Sequence, residues 1–305
     1  FKLMSQPSLS ATVANRPDGS ALLELLKPIT WFPPMWAFTC GVVSSGQPIL
    51  EQWFLVLVGI ILAGPLLCGM SQAVNDWFDR HVDAINEPHR PIPSGRMPGT
   101  WGLRVAIAWS LLSLAVAALL GPWVLGAAAL GLVMAWAYSA PPLRLKRNGW
   151  WGNSAVALSY EGLAWVTGAA VMIGGQLPDW RILLLAFLYS AGAHGIMTLN
   201  DFKAIEGDQR MGIRSLPVQL GVQGAAWAAC LFMALTQVGV IALLAHWERP
   251  WHALAVALVL GIQFLMMVRF LRAPVAQATW FSASAVSVYV TGMMVSAFAV
   301  RDLIL

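Results

Sequence analysis

Charged residues are scarce in this chain. Of its 305 residues, 10% are charged and 58% are hydrophobic, and the mean hydropathy is +0.69. Soluble domains carry about 25% charged residues, so the composition excludes an ordinary soluble domain and predicts an all-α polytopic membrane protein. The net charge of +4 is small and spread over many loops, which argues against nucleic acid as a partner.

Cysteine is also rare. Cys40, Cys68 and Cys230 lie in apolar runs without CxxC spacing, so we interpret them as buried hydrophobic residues rather than disulfide or metal ligands. Residues 1–27 are polar and lack the pattern of a cleavable signal. We expect them to be a cytoplasmic segment of one transmembrane domain that covers residues 1–305. Because the chain begins at Phe1 rather than Met, we expect further residues before it.

Nine apolar segments are long enough to cross a bilayer, which takes about 20 residues. They lie near 29–46, 52–74, 102–120, 122–139, 154–174, 181–199, 222–245, 251–270 and 279–300. Turn-forming pairs such as Gly121-Pro122 and Arg249-Pro250 separate them. Pro33 and Pro34 predict an irregular start for the first segment.

The basic residues favour one side of these segments. Of the 18 lysines and arginines, all but Arg181, Arg249 and Arg301 lie in the N-terminal segment or in loops after even-numbered spans. The positive-inside rule then predicts that those loops and the N-terminus are cytoplasmic and that the C-terminus lies on the opposite side.

Two acid-rich stretches follow the second and sixth segments. "NDWFDRHVD" (75–83) and "NDFKAIEGD" (200–208) match at their first, second and ninth positions. Each is followed by arginine and a Ser/Pro turn. We interpret this pattern as an internal duplication in which each half ends a helix with acidic residues.

The spacing of these acids suits a metal. On one helix, Asn75, Asp79 and Asp83 fall within about 80° of one another. Asp201 and Asp208 share a face only if one helix spans both. Two facing carboxylate clusters repel each other unless a cation lies between them, and oxygen ligands suit Mg²⁺ with room for substrate phosphates. The alternative is that these acids are simply solvated at the ends of helices. Two duplicated clusters on one side of the bundle make that interpretation less favoured than a metal site.

Basic side chains lie close to the same acids. Arg90 and Arg96 belong to "HRPIPSGR", Lys146 to "YSAPPLRLK", and Arg210 and Arg214 to "DQRMGIRSLP". Acidic and basic groups around one mouth fit a Mg²⁺-diphosphate. Membrane topology alone would account for about half of these basic residues.

The longer strings resemble a known family. The double aspartate pattern resembles the UbiA superfamily of intramembrane prenyltransferases. "NEPHRPIPSGR", "NDFKAIEGD" and "VTGMMVSAFAVR" are similar to its chlorophyll/bacteriochlorophyll synthase branch, and the likeness covers roughly residues 21–302. His89 departs from the acidic or amide residue expected there.

The resemblance implies a UbiA-like bundle in the inner or intracytoplasmic photosynthetic membrane, with its active site facing the cytoplasm. It also implies the reaction. A geranylgeranyl or phytyl group would pass from its diphosphate to the propionate of a bacteriochlorophyllide, with Mg²⁺, two ions in our interpretation.

The resemblance also implies residue roles. The expected Mg²⁺ ligands are Asn75, Asp79, Asp83, Asp201 and Asp208, with Asp76 and Glu206 as further candidates. The expected diphosphate contacts are Arg90, Arg96, Lys146, Lys203, Arg210 and Arg214, together with the hydroxyl groups of Tyr138 and Ser139.

Polar and aromatic residues inside the spans are candidates for acceptor binding. Glu161 should face the interior and contact either the substrate or an arginine. His194 is a candidate ligand for the magnesium of a chlorin, although a hydrogen-bonded core histidine is favoured. Trp165 and Trp136 are candidates for lining a macrocycle pocket, and lipid contact explains them equally well.

Two other functions fit parts of the pattern. One is a UbiA-type enzyme with a quinone precursor or haem as acceptor, because the metal site handles only the diphosphate. The other is a transporter or divalent-cation channel. The position of both acid clusters at one membrane face argues against the second.

Overall fold

The structure is a computed structural model that describes residues 16–304, and it is almost entirely helical. Of the polar segment predicted for 1–27, residues 1–15 lie outside this described part, Lys2 among them. The helices are α1 Gly19–Leu26, α2 Phe32–Ser44, α3 Trp53–Asn86, α4 Trp101–Leu120, α5 Pro122–Ser139, α6 Gly149–Met172, α7 Trp180–Asp201, α8 Ile205–Met211, α9 Leu216–His246, α10 Pro250–Arg272 and α11 Pro274–Ile304. Short 3₁₀ turns cover Pro28–Thr30 and Leu145–Arg147.

Eight of these helices, α3 to α7 and α9 to α11, are long and apolar enough to cross a membrane. The sequence predicts nine spans, and the first of these nine is the one without a helix of spanning length. Its helix α2 has 13 residues and begins with Pro33 and Pro34 in its first turn. Proline is tolerated in a first helical turn because its missing N–H would have no partner there. The irregular start predicted from these prolines is present as the 3₁₀ turn before α2.

Two spanning helices contain a widened turn. α3 is π-helical at Leu62–Cys68, around Pro65. α6 is π-helical at Leu158–Leu163. Such π-bulges are rare and are frequent at functional sites. Both face the same cavity, described below.

Glycine lets α2 approach α6 closely. A Cβ atom on Gly41 would collide with the carbonyl oxygen of Trp165, and one on Gly168 would collide with that of Phe38. Small residues at helix crossings allow backbones to pack together in membranes. This crossing joins the first and second halves of the bundle.

The two acid-rich stretches differ in conformation. Residues 75–83 lie on one helix, as predicted. The second stretch does not: α7 ends at Asp201, a turn covers 202–204, and α8 carries Asp208. The condition for a shared helical face, one helix that spans both Asp201 and Asp208, is therefore not met, and the two carboxylates come from separate helices.

Large apolar side chains cover the outside of the bundle. Leu119, Trp251 and Leu265 are 87%, 79% and 72% exposed. Such side chains are stable in contact with lipid rather than with water. The three cysteines are buried and unpaired, as predicted.

Candidate active site

A cavity of about 420 Å³ lies between α2, α3, α5, α6 and α7. Asn75, Tyr138, Asn153, Asn200 and Asp201 form its polar end. Asn200 is exposed, so that end lies close to the surface. Most of the remaining lining is small and apolar: Ala63, Pro33, Ala127, Gly131, Leu163 and Ala164 are examples. The cavity therefore joins a polar mouth to an apolar interior.

Lys146 occupies the first acid cluster. Its ammonium group lies 2.6 Å from each carboxylate oxygen of Asp79, and Arg144 reaches the same carboxylate at 3.5 Å. Burial lowers the pKa of Lys146, and the charge of Asp79 opposes that shift. The charged pair is retained near the mouth because each partner offsets the cost of desolvating the other.

Asp76 and Asp83 have basic partners as well. Lys27 approaches Asp76 at 2.6 Å, and Arg90 donates to Asp83 at 2.8 Å and lies 3.6 Å from Asp76. Asp76 is 2% exposed, and its Oδ2 atom has no hydrogen-bond partner among the described residues. One buried carboxylate oxygen in this cluster is thus available to a further ligand.

The second cluster is built differently. The Asn153 amide donates to Asp201 at 3.1 Å, which orients that carboxylate at the cavity wall. Asp208 is buried, and this burial raises the pKa of its carboxyl group. A buried carboxylate is stabilised by a cation nearby.

The structure brings the two clusters to the same end of the bundle. The hydroxyl group of Tyr138 lies close enough to Asp79, Asp201 and Asp208 to feel the negative charge of all three. The loops also join, since the Gly149 N–H donates to the Arg214 carbonyl at 2.8 Å. Ser139 receives a hydrogen bond from Asn75 at 3.4 Å. Tyr138 lines the cavity, whereas Ser139 is fully buried and does not, and the diphosphate contacts of both hydroxyl groups stay a prediction.

The donors suit Mg²⁺ in kind. They are carboxylate and amide oxygens, the hard ligands that this ion prefers. Within residues 16–304, no three acidic, histidine or cysteine side chains are gathered closely enough to enclose a metal by themselves. Mg²⁺ commonly takes one or two carboxylates and completes its octahedron with substrate phosphates and water. The carboxylate of Asp201 at the cavity wall fits this partial arrangement. Asp76 does not line the cavity, but its Oδ2 atom has no hydrogen-bond partner among the described residues.

Several predicted site residues lie apart from these pairs. Glu206 and Arg210 pair with each other at 2.7 Å while 82% and 76% exposed. Arg96 pairs with Glu24 of α1 at 2.7 Å. Lys203 and Arg214 are exposed. Among the predicted diphosphate contacts, Lys146 and Arg90 are the two that pair with aspartates of the first acid-rich stretch.

The acceptor candidates do not line the cavity. Trp165 is fully buried, stacks on Tyr189 at 5.5 Å and donates its indole N–H to Ser44. Trp136 donates to Ser110 at 3.1 Å. Both belong to the helix packing and not to the cavity wall.

Glu161 and His194 are buried near the cavity without lining it. No described arginine or lysine pairs with Glu161, so the arginine contact, one of the two alternatives for this residue, is not present. His194 contacts Ser154 at 3.1 Å through Nδ1 and stacks on Trp150 at 5.7 Å. It has the environment of the core histidine that we favoured.

Sequence reasoning missed four polar residues at the site: Lys27, Gln72, Asn153 and Tyr160. Lys27 lies two residues before the first apolar segment, and Asn153 lies directly before the fifth. Both positions place a polar group at the membrane boundary, which is the signal that identifies them. Gln72 and Tyr160 interrupt apolar runs, where a polar residue indicates a functional site.

Comparison with known proteins agrees with this arrangement. Residues 30–291 match the UbiA prenyltransferase family. The chain is 56% identical over 98% of its length, and 99% of the relative, to the bacteriochlorophyll synthase 33 kDa chain of Rhodobacter capsulatus. It is 40% identical to a chloroplastic chlorophyll synthase of Oryza sativa subsp. japonica, covering 91% of this chain and 76% of that one.

A solved structure shows the same fold. A UbiA homologue from Archaeoglobus fulgidus, bound to DMAPP and Mg²⁺, superimposes with a TM-score of 0.65 at 20% identity, covering 93% of this chain and 99% of that one. The eight long helices and the match over 30–291 agree with this fold. The chain therefore belongs to the UbiA prenyltransferase family.

Proposed function

We propose that this protein joins a geranylgeranyl or phytyl group, taken from its diphosphate, to the propionate carboxylate of a bacteriochlorophyllide. The observation that carries the proposal is the 56% identity, over nearly the whole length of both chains, to a bacteriochlorophyll synthase chain. The cavity supports it, because a polar mouth with acids and bases continues into an apolar interior.

The mouth is suited to the diphosphate. Lys146 and Arg90 supply charged donors for phosphate oxygens, and Tyr138 adds a hydroxyl group at the cavity wall. Asn75, Asp76, Asp79, Asp83, Asp201 and Asp208 are the proposed oxygen ligands of two Mg²⁺ ions. When bound, Mg²⁺ supplies positive charge that stabilises the leaving diphosphate.

The acceptor needs no strong base. A propionate is ionised at neutral pH, since a glutamate side chain has a pKa of about 4.3. One carboxylate oxygen forms a bond to the first prenyl carbon, and the bond from that carbon to the diphosphate oxygen breaks. The electron pair leaves with diphosphate. The residues therefore bind and orient both partners rather than transfer a proton.

The apolar interior holds the prenyl chain and excludes water. Ala63, Ala127 and Leu163 offer no hydrogen bonds in this part of the wall. Water excluded from the reacting carbon cannot compete with the carboxylate for it. The active site faces the cytoplasm in this proposal, in the inner or intracytoplasmic photosynthetic membrane.

One assay tests the function. Purified protein is mixed with Mg²⁺, geranylgeranyl or phytyl diphosphate, and several chlorophyllides, and the products are identified by mass. We expect a bacteriochlorophyll ester. Prenylation of a quinone precursor or of haem in parallel reactions, with none of the chlorophyllides, would contradict the proposal and identify another acceptor.

A further inference from the structure

Four polar side chains meet in the cavity wall where its apolar part begins. Tyr160 lies at their centre. Its hydroxyl oxygen is 3.0 Å from the Gln72 amide nitrogen, 3.2 Å from the Cys68 sulfur and 3.4 Å from the Ser71 hydroxyl. All four residues line the cavity. None of them belongs to the acid clusters or to their basic partners.

The two π-helical turns bring these residues together. Cys68 ends the widened turn of α3, and Tyr160 lies inside the widened turn of α6. Each turn carries one extra residue per turn of helix and so re-aims the side chains near it. Both helices thus direct a polar group to one spot in a largely apolar wall.

The hydrogen bonds leave donors for a ligand. Gln72 donates one N–H to Tyr160, and a side-chain amide has two. The phenol oxygen accepts from Gln72 and faces the Cys68 thiol. The Tyr160 hydroxyl oxygen lies 3.4 Å from the Ser71 hydroxyl oxygen. This is longer than a usual O–H···O hydrogen bond of about 2.5–3.0 Å, so the Tyr160 proton has no strong acceptor there. Tyr160 can therefore turn its proton to a better acceptor.

The position of Gln72 relative to the mouth is set by α3. Gln72 precedes Asn75 by three residues, which places it about 4.5 Å further into the membrane at about 1.5 Å per residue. If the diphosphate binds at Asn75 and Asp79, as the proposed function has it, and the prenyl chain extends into the cavity, the first prenyl carbon lies close to this level. The attacking atom must lie about 3–3.5 Å from that carbon.

A carboxylate at this depth needs hydrogen-bond donors, because an unpaired charge in an apolar cavity is costly. Thr167, a polar residue deeper in the wall, already donates to its own helix at 2.7 Å. Lys146 and Arg90 lie at the mouth, beside Asp79 and Asp83, where the diphosphate is proposed to bind. Gln72 and Tyr160 meet each other at this level and each keeps a proton to donate. The neighbouring Ser159 hydroxyl, whose one hydrogen-bond contact among the described residues is the Met134 sulfur at 3.9 Å, can add a third donor.

We propose that Gln72 and Tyr160 bind the propionate carboxylate of the acceptor and hold one of its oxygens against the first prenyl carbon. The Gln72 N–H and the Tyr160 O–H donate to one carboxylate oxygen, and the other oxygen forms the ester bond. This assignment rests on the proposed function. It makes the cluster a site for the acceptor and not for the diphosphate.

The test compares two pigments in the absence of prenyl diphosphate: bacteriochlorophyllide, and the same pigment with its propionate methylated. Dissociation constants are measured from the pigment spectrum with the full-length protein, Tyr160→Phe and Gln72→Leu. Tyr189→Phe is the matched control, because it removes a buried hydroxyl that bonds Ser296 at 2.7 Å outside the cavity. Binding of geranylgeranyl diphosphate with Mg²⁺ reports that each variant is folded.

We expect the unaltered protein and Tyr189→Phe to prefer the free acid. Tyr160→Phe and Gln72→Leu should each lose roughly tenfold of that preference, the size typical of a hydrogen bond to a charged group, with diphosphate binding unchanged. If only one of Tyr160→Phe and Gln72→Leu is folded, that variant alone decides the test. The unaltered preference in folded Tyr160→Phe or Gln72→Leu would overturn this assignment alone. Failure of the unaltered protein to make any chlorophyllide ester would overturn the proposed function together with it.

Discussion

The ammonium group of Lys146 bridges both carboxylate oxygens of Asp79, at 2.6 Å from each. The lysine comes from the loop after α5 and the aspartate from the end of α3, so the pair joins two elements at the cavity mouth. Both side chains are largely shielded, at 14% and 22% exposed. A lysine held here is in place to contact a phosphate that binds beside Asp79.

Replacing Lys146 should weaken binding of the prenyl diphosphate. Lys146→Met keeps an unbranched side chain that is one atom shorter and removes its charge. We expect KM for geranylgeranyl diphosphate to rise by roughly 10-fold or more, because a hydrogen bond to a charged group contributes about 1.5–3 kcal/mol. KM for the acceptor should stay within about twofold. Its proposed donors, Gln72 and Tyr160, do not contact Lys146, and residues without shared partners usually act independently.

Arg269→Ala is the control for that variant. Arg269 is also a basic residue on the predicted cytoplasmic side, but it stacks on Trp280 and bonds Gln277. Its loss should leave KM for the diphosphate unchanged. An equal rise in both variants would show that general surface charge, rather than Lys146, attracts the substrate.

Neutralising one acid of either cluster should stop turnover. We expect Asp79→Asn and Asp201→Asn each to abolish Mg²⁺-dependent ester formation, because an amide supplies one neutral oxygen in place of a charged carboxylate. The proteins should still insert and purify. Asp302→Asn, an exposed acid at the other end of the bundle, is the matched control. Full activity in Asp79→Asn or Asp201→Asn would remove that residue from the ligand set.

Asn153 should act through Asp201, whose carboxylate it orients at 3.1 Å. Partners that orient a metal ligand typically change metal affinity by about 10–100-fold when they are removed. We therefore expect Asn153→Leu to raise the Mg²⁺ concentration for half-maximal activity by that factor. Activity should recover at saturating Mg²⁺. A loss that no Mg²⁺ concentration restores would indicate a different role.

The crossing of α2 and α6 should be sensitive to one methyl group. A Cβ atom on Gly168 would meet the Phe38 carbonyl oxygen, so Gly168→Ala forces the helices apart. We expect a loss of about 1–3 kcal/mol, the usual cost of overpacking, seen as a lower Tm in detergent. Gly239→Ala is the control, because nothing lies within 4 Å of the added atom. Equal Tm values for the two variants would contradict close packing at this crossing.

The long spans were predictable because apolar length is a local property of the sequence. Eight of the nine segments correspond to helices of spanning length. The predicted start of the seventh segment, at residue 222, also agrees with the structure. Gly221 has a φ of 72° and separates residues 216–220 from the rest of α9. The first segment, α2, is shorter because its entry holds two prolines and a 3₁₀ turn.

The acid clusters were also predictable, because charged residues after apolar runs are conspicuous. Their partners were not. Lys146 meets Asp79 at the cavity mouth, whereas Arg210 meets only the exposed Glu206. This difference depends on how the helices are rotated and on the turn at 202–204, which separates Asp201 from Asp208. Those are properties of packing between distant parts of the chain, as is the meeting of Gln72 with Tyr160 across 88 residues.

The most direct test of the central claim is a cryo-electron microscopy structure with Mg²⁺ and an unreactive thiolo analogue of geranylgeranyl diphosphate. The account predicts metal density about 2.0–2.1 Å from carboxylate oxygens of both 75–83 and 200–208. The phosphates should touch Lys146, and the prenyl chain should lie in the cavity. Metal and phosphates bound to one cluster only, or outside this mouth, would contradict it.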